Sequence, residues 1–179
     1  MLNYFEHEIK ILNVDVDDIK ATLLNIGAKT VYSGERLIRT FDDKFESYRN
    51  KDILIRLTEE ITTKLTIHLN NSSINRQIIK LHPVENAKTV IDFLSVFSLF
   101  ERTQVKSYRT SLELGATDFD IDQFPNIPPF LEIDIEDLNC TLDTLLLNLK
   151  LNDNQVVTCG TEEIFKLYGY DYYSLFSSN

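Results

Sequence analysis

Cysteine is scarce in this chain of 179 residues: Cys140 and Cys159 are the only two, in no metal-like spacing. They read as free thiols of a reducing compartment. Long hydrophobic runs are missing as well. The longest apolar stretches, such as Leu145-Leu146-Leu147, are far too short to span a bilayer, which excludes a membrane helix. Basic residues are outnumbered, 18 Lys and Arg against 28 Asp and Glu, for a net charge of -10. A general nucleic-acid binder needs a basic face, so that class is excluded, although a small basic pocket inside an acidic shell is not. The N-terminus runs straight into a charged strand, so no signal peptide is expected and the expected location is cytoplasmic. No serine or cysteine constellation offers a covalent nucleophile. What is present, 43% hydrophobic and 26% charged residues, suffices for one soluble globular domain with a sizeable core.

The most informative stretch is the first strand, Tyr4-Phe5-Glu6-His7-Glu8-Ile9-Lys10-Ile11. Side chains alternate across an extended chain, so Glu6, Glu8 and Lys10 share one face while Phe5, His7, Ile9 and Ile11 share the other. Asp15 then offers an N-cap to a helix whose apolar residues Val16, Ile19, Leu23 and Ile26 recur up to Gly27. Further strands are expected at 30–41, 53–57, 61–69 and 76–82, then a helix at 84–97, then strands at 103–114, 117–122 and 130–136. Pro125, Pro128 and Pro129 interrupt pairing between the last two. From about residue 138 the tail carries helical stripes (Leu142, Leu145, Leu146, Leu149, then Ile164, Phe165, Tyr168). About eight strands with helices after the first, the fifth and the last make an antiparallel α+β fold.

The asymmetry of the first strand returns in later ones. Asp120 and Asp122 share a face, Glu132, Asp134 and Glu136 oppose Leu131, Ile133 and Ile135, and Arg56 and Lys64 occupy the ionic faces of the middle strands. Two pictures follow. In one, every ionic face meets bulk water and helices cover the apolar side of a single sheet. In the other, a closed barrel turns its ionic faces into a lumen, where clustered carboxylates need a bridging partner. A hard divalent cation such as Mg²⁺ or Mn²⁺, with a polyphosphate on the opposing bases, fits that role.

Glu6-His7-Glu8-Ile9-Lys10 resembles the ExExK signature of the CYTH domain, the triphosphate tunnel metalloenzymes. Tyr108-Arg109-Thr110-Ser111, Phe119-Asp120-Ile121-Asp122 and Phe130-Leu131-Glu132-Ile133-Asp134 resemble, in the same order, the arginine, aspartate and FLExE strands of that group. The resemblance covers essentially the whole chain. It implies one CYTH-like domain over 1–179, an eight-stranded antiparallel closed β-barrel forming a tunnel, with helices packed outside and the C-terminal ones beginning near residue 138.

Carried over position by position, the resemblance makes Glu6, Glu8, Asp122, Glu132 and Asp134 the metal ligands, for Mg²⁺ or Mn²⁺. Lys10, Arg56 and Arg109 become the catalytic bases that grip phosphate, with Lys64 and Lys106 as further substrate contacts. Asp120 shares the face of Asp122. The pattern is broken at Leu54, His68 and Ser107, where the family usually carries bases, and at Ile78 on the fifth strand, where it usually carries an acidic pair. The implied function is a metal-dependent phosphohydrolase of a triphosphate-containing small molecule (tripolyphosphate, thiamine triphosphate or a nucleoside triphosphate). A class IV adenylate cyclase is the first alternative, and a non-catalytic triphosphate-binding module the second. The expected partner is that small molecule, with no nucleic acid and no membrane; a homodimer is allowed.

Overall fold

Alternating side chains make strands at every place where the sequence pattern calls for them, to within a few residues. The computed structural model describes residues 3–69, 75–135, 146–147, 149–151 and 156–178. Its strands are β1 (Asn3–Leu12), β2 (Lys29–Asp42), β3 (Ile53–Glu59), β4 (Thr63–Leu69), β5 (Asn75–Val84), β6 (Phe100–Leu114), β7 (Thr117–Gln123), β8 (Phe130–Ile135) and β9 (Val156–Val157). The helices are α1 (Val16–Asn25), α2 (Ala87–Val96), α3 (Thr161–Leu167) and α4 (Tyr172–Leu175), with a 3₁₀ turn at Arg49–Lys51.

The strands form one sheet in the order β5-β4-β3-β2-β6-β7-β8-β1-β9, and β1 also pairs with β5. The closed eight-stranded barrel is therefore corrected to a nine-stranded antiparallel sheet. The physical reason lies on β1. One edge of this strand pairs with β8 from Glu8 to Leu12, and along Lys10 and Ile11 its other edge pairs with β9. Along those two residues a ninth strand takes the edge that an eight-stranded closure would give to β5 over its whole length.

The chain divides into two compact units: a first of Met1–Phe5, Arg36–Lys106 and Gly160–Asn179, and a second of Glu6–Glu35 and Ser107–Cys159. In the second unit, the apolar faces of β1, β6, β7 and β8 supply Ile9, Ile11, Leu112, Phe119, Ile121, Leu131 and Ile133 to a core that α1 covers with Ile19 and Leu23. The Asp15 carboxylate caps α1 by accepting from the amides of Asp17 and Asp18, both at 3.0 Å. Gly27, at φ 98°, ends the helix, and the Ala28 amide closes back on the Leu23 carbonyl at 3.0 Å. Of the tail expected to be helical from about 138, residues 136–145 lie outside the described residues. Leu146 and Leu149 join this core, and the later stripe of Ile164 and Phe165 falls in α3 (Thr161–Leu167).

In the first unit, Phe41, Ile55, Leu57 and Leu65 pack under Ala87, Val90, Leu94 and Leu99 in and after α2. Asn86 caps that helix by accepting from the Thr89 amide at 2.8 Å. The aromatic C-terminal segment packs on itself: Phe165 meets Tyr172 and Phe176 edge-on, with centroids 5.2 and 5.4 Å apart. Its last residues pair with β6, where the Gln104 amide donates to the Phe176 carbonyl at 2.9 Å and the Ser178 amide to the Arg102 carbonyl at 3.0 Å.

Candidate functional site

In the second unit, Ile9 and Ile11 enter the core, so alternation sends Glu8 and Lys10 to the opposite face of β1. That face is not solvated. Glu8 is 4% exposed, Lys10 1% and Asp122 1%, which rules out a simple surface role for these charges. Charges taken from water must be paired, and the strand register supplies the partners. Ser111, Asp120, Glu132 and Lys10 lie directly opposite one another across β6, β7, β8 and β1. One step along the strands, Arg109 faces Asp122; two residues from Lys10, Glu8 faces Asp134.

Arg109 is the hub. Its Nε donates to Asp122 Oδ1 at 2.7 Å and its Nη2 to Asp122 Oδ2 at 2.5 Å, a bidentate pairing. Its Nη1 also donates to Asp120, and Nη2 reaches Glu132 Oε1 at 3.5 Å. Ser111 Oγ donates to the other Asp120 oxygen at 2.5 Å. Lys10 Nζ contacts Glu8 and lies 3.6 Å from Glu132 Oε2, so Glu132 links the two cations. Burial disfavours the charged guanidinium, but attraction to Asp120, Asp122 and Glu132 outweighs it and raises the Arg109 pKa well above its ordinary value. Asp120 is raised too, first by burial and then by Asp122 and Glu132, against the lowering pull of Arg109.

The structure thus brings together Glu8, Lys10, Arg109, Asp122 and Glu132, with Asp134 facing Glu8 across the β1–β8 ladder. The side chain of Glu6 lies outside the described residues. Arg56, Lys64 and Lys106 belong to the first unit. There, Arg56 lies opposite Thr40 and Thr66, and its Nε is buried with no hydrogen-bond partner among the described residues. Lys64 pairs with Glu60 at 3.0 Å, and Lys106 is exposed between buried Val105 and Ser107. At the positions that break the family pattern, Leu54, Ile78, Ser107 and His68 are all buried, and His68 Nε2 meets Thr66 Oγ1 at 3.0 Å. Ser111 was not singled out by sequence reasoning. The signal available was its spacing of two from Arg109, which fixes the face and says nothing of a role.

Glu8, Asp122, Glu132 and Asp134 present hard carboxylate oxygens, the donor type that Mg²⁺ and Mn²⁺ prefer. By donor chemistry they fit such an ion. Among the described residues no three His, Cys, Asp or Glu side chains already surround a common point, because Asp120 and Asp122 turn to Arg109 and Glu8 to Lys10.

No protein-family model and no curated protein matches the sequence. Solved structures share its fold. A putative adenylate cyclase from Vibrio parahaemolyticus superposes with a TM-score of 0.80 at 13% identity, over 92% of this chain and 99% of that one. The PH1012 protein from Pyrococcus horikoshii gives 0.70 at 18% identity, over 86% and 94%. A putative adenylyl cyclase from Hippeastrum, described as having a dominant triphosphatase activity, gives 0.54 at 9% identity, over 96% and 90%. At the level of the fold, these likenesses bear out the resemblance to the CYTH domain.

Proposed function

We propose that this chain is a divalent-metal-dependent phosphohydrolase acting on a triphosphate-containing small molecule. One observation supports the reading above all: the buried network in which Arg109 and Lys10 are held among Glu8, Asp120, Asp122 and Glu132 on one face of four adjoining strands. The shared fold of the Hippeastrum protein, itself described as a triphosphatase, points the same way.

Glu8, Asp122, Glu132 and Asp134, with Glu6, are the residues that would hold Mg²⁺ or Mn²⁺. When bound, such an ion supplies charge neutralisation of phosphate oxygens and an acidified water. On substrate binding, Arg109 and Lys10 exchange carboxylate oxygens for phosphate oxygens, one charge-assisted hydrogen bond for another. In place, the two cations neutralise the charge that builds on the oxygens as the bridging bond stretches. Asp120 and Ser111 hold Arg109 at its station. Arg56, Lys64 and Lys106, in the first unit, are assigned no step.

The fold shared with the Vibrio protein motivates one second reading, a cyclase that directs a ribose hydroxyl at the α-phosphate of ATP. Incubating the purified protein with tripolyphosphate, thiamine triphosphate and ATP, each with Mg²⁺ or Mn²⁺, separates the two. Phosphate release is the expected result. Cyclic AMP formed without free phosphate would overturn the hydrolase in favour of the cyclase. Metal-dependent triphosphate binding with no product from any substrate would leave a binding module.

A further inference from the structure

Helix α2 carries more apolar surface than its own unit covers. Ala87, Val90 and Leu94, at i, i+3 and i+7, fill the core side of the helix. Phe93, Val96 and Phe97 stay outside it, 58%, 78% and 62% exposed, and Phe100, just past the helix end, is 51% exposed. Phe93 and Phe97 stand four residues apart, with ring centroids at 5.0 Å. Ser98, at φ 59°, then turns the chain, and the Leu99 amide closes on the Leu94 carbonyl at 3.1 Å, so Phe100 leaves from the same end of the helix. Three phenylalanines and a valine bare at one helix end are what a partner surface looks like.

Area and charge select the partner. An aromatic side chain offers about 150–250 Å², so the exposed parts of Phe93, Phe97 and Phe100 come to roughly 250–430 Å² before Val96 is added. Doubled across a two-fold axis, that is roughly 500–850 Å², the apolar share of an interface near the lower end of the standard size. The charges agree. Each chain carries a net charge of -10, so two copies repel wherever acidic faces meet. From Asn86 to Phe100, however, the only charged residues are Lys88 and Asp92, a neutral pair at 2.7 Å. A basic partner would gain nothing from this neutral stretch, and an anionic lipid surface is opposed by the charge of the chain. A second copy meets no like charge there. We infer that this patch is a homodimer interface, in which Phe93, Val96, Phe97 and Phe100 pack against the same residues of a second copy. It lies within the first unit and stands whether or not the chain hydrolyses triphosphates.

Sedimentation equilibrium of the full chain should give the mass of two chains at about 100 μM and a transition to monomer on dilution. Phe97→Ala should weaken the dimer by about tenfold or more, because a two-fold contact loses each ring twice. Val96 is 78% exposed, so Val96→Glu and Val96→Lys leave the fold intact, which circular dichroism checks. Each variant alone brings like charges together across the axis and should sediment as a monomer, whereas an equal mixture of the two should associate. A wild-type monomer at about 100 μM would overturn the assignment and leave the patch to a different protein. A dimer unweakened in Phe97→Ala or Val96→Glu would place the contact elsewhere on the chain, and a mixture that stays monomeric would refute the pairing of like patches.

Discussion

Arg109→Gln tests the network at its hub. The substitution keeps a polar but shorter side chain and removes the charge that Asp120, Asp122 and Glu132 share. Asp122 is 1% exposed, so it cannot recover full hydration in place. Removing one partner of a buried ion pair typically costs about 3–5 kcal/mol, because the remaining charge stays buried and uncompensated. For a chain of this size that corresponds to a fall in Tm of about 6–20 °C.

The penalty should depend on pH in a definite direction. The folded-state pKa of Asp120 is already raised, by burial first, with Arg109 pulling it down. A carboxyl with a raised folded pKa favours the native state below its unfolded pKa, and that contribution is lost as pH rises through the folded value. Without Arg109 the Asp120 pKa rises further, so the mutant loses more at neutral pH than at acid pH. Urea unfolding of wild type and Arg109→Gln, followed by circular dichroism at about pH 7 and about pH 4.5, should therefore show a large penalty in the first case and a smaller one in the second. Adding Asp120→Asn to Arg109→Gln should return part of the loss at neutral pH. A penalty below about 1 kcal/mol at neutral pH, or one equal at both pH values, would refute the account of Arg109 as a buried counter-charge.

Glu132 links Lys10 and Arg109, and Glu132→Gln should abolish phosphate release from whichever triphosphate wild type hydrolyses, with circular dichroism confirming a folded protein. Retained turnover would remove Glu132 from the proposed chemistry. Leu23 is fully buried in the second core, and Leu23→Ala should cost about 2–5 kcal/mol in urea unfolding. Gly27 has φ 98°, and an added Cβ would meet only Leu114 at 4.0 Å, so Gly27→Ala should cost about 1–2 kcal/mol from backbone strain alone. A cost near zero would show that the turn relaxes.

The strands were legible because alternation is a local property, and Ile9, Ile11, Ile133 and Leu131 announce their faces without reference to neighbours. Whether the opposite face meets water was not legible from β1 alone. Glu8 and Lys10 alternate with Ile9 in the same way whether exposed or buried, and only what the folded chain packs over that face decides it. The same dependence on distant segments explains the barrel correction. Val156–Val157 is too short to show any period, yet it adds a ninth strand to the sheet by pairing with Lys10 and Ile11 of β1. Partner choice was the least legible feature. The pattern assigns Arg109 and the acids to one side of the sheet, but only the cross-strand register makes Asp122 a bidentate partner and Ser111 a ligand of Asp120.

The charge balance of that face carries a last consequence for the proposed function. Among the described residues, the carboxylates of Glu8, Asp120, Asp122 and Glu132 share the cations Lys10 and Arg109, and Asp134 faces Glu8 across the β1–β8 ladder. A face with that excess of negative charge repels a free triphosphate, and swapping carboxylate for phosphate at Arg109 and Lys10 alone would leave the acids buried without counter-charge. On the proposed reading, the triphosphate must therefore arrive with divalent cation, and binding is weak without it. Calorimetry of tripolyphosphate in excess chelator should show affinity at least about tenfold weaker than with Mg²⁺ or Mn²⁺ present, since a single compensated charge is worth about that much. Equal affinity with and without metal would mean that the phosphates are held by cations alone. Glu8, Asp122, Glu132 and Asp134 would then be counter-charges of the fold rather than ligands.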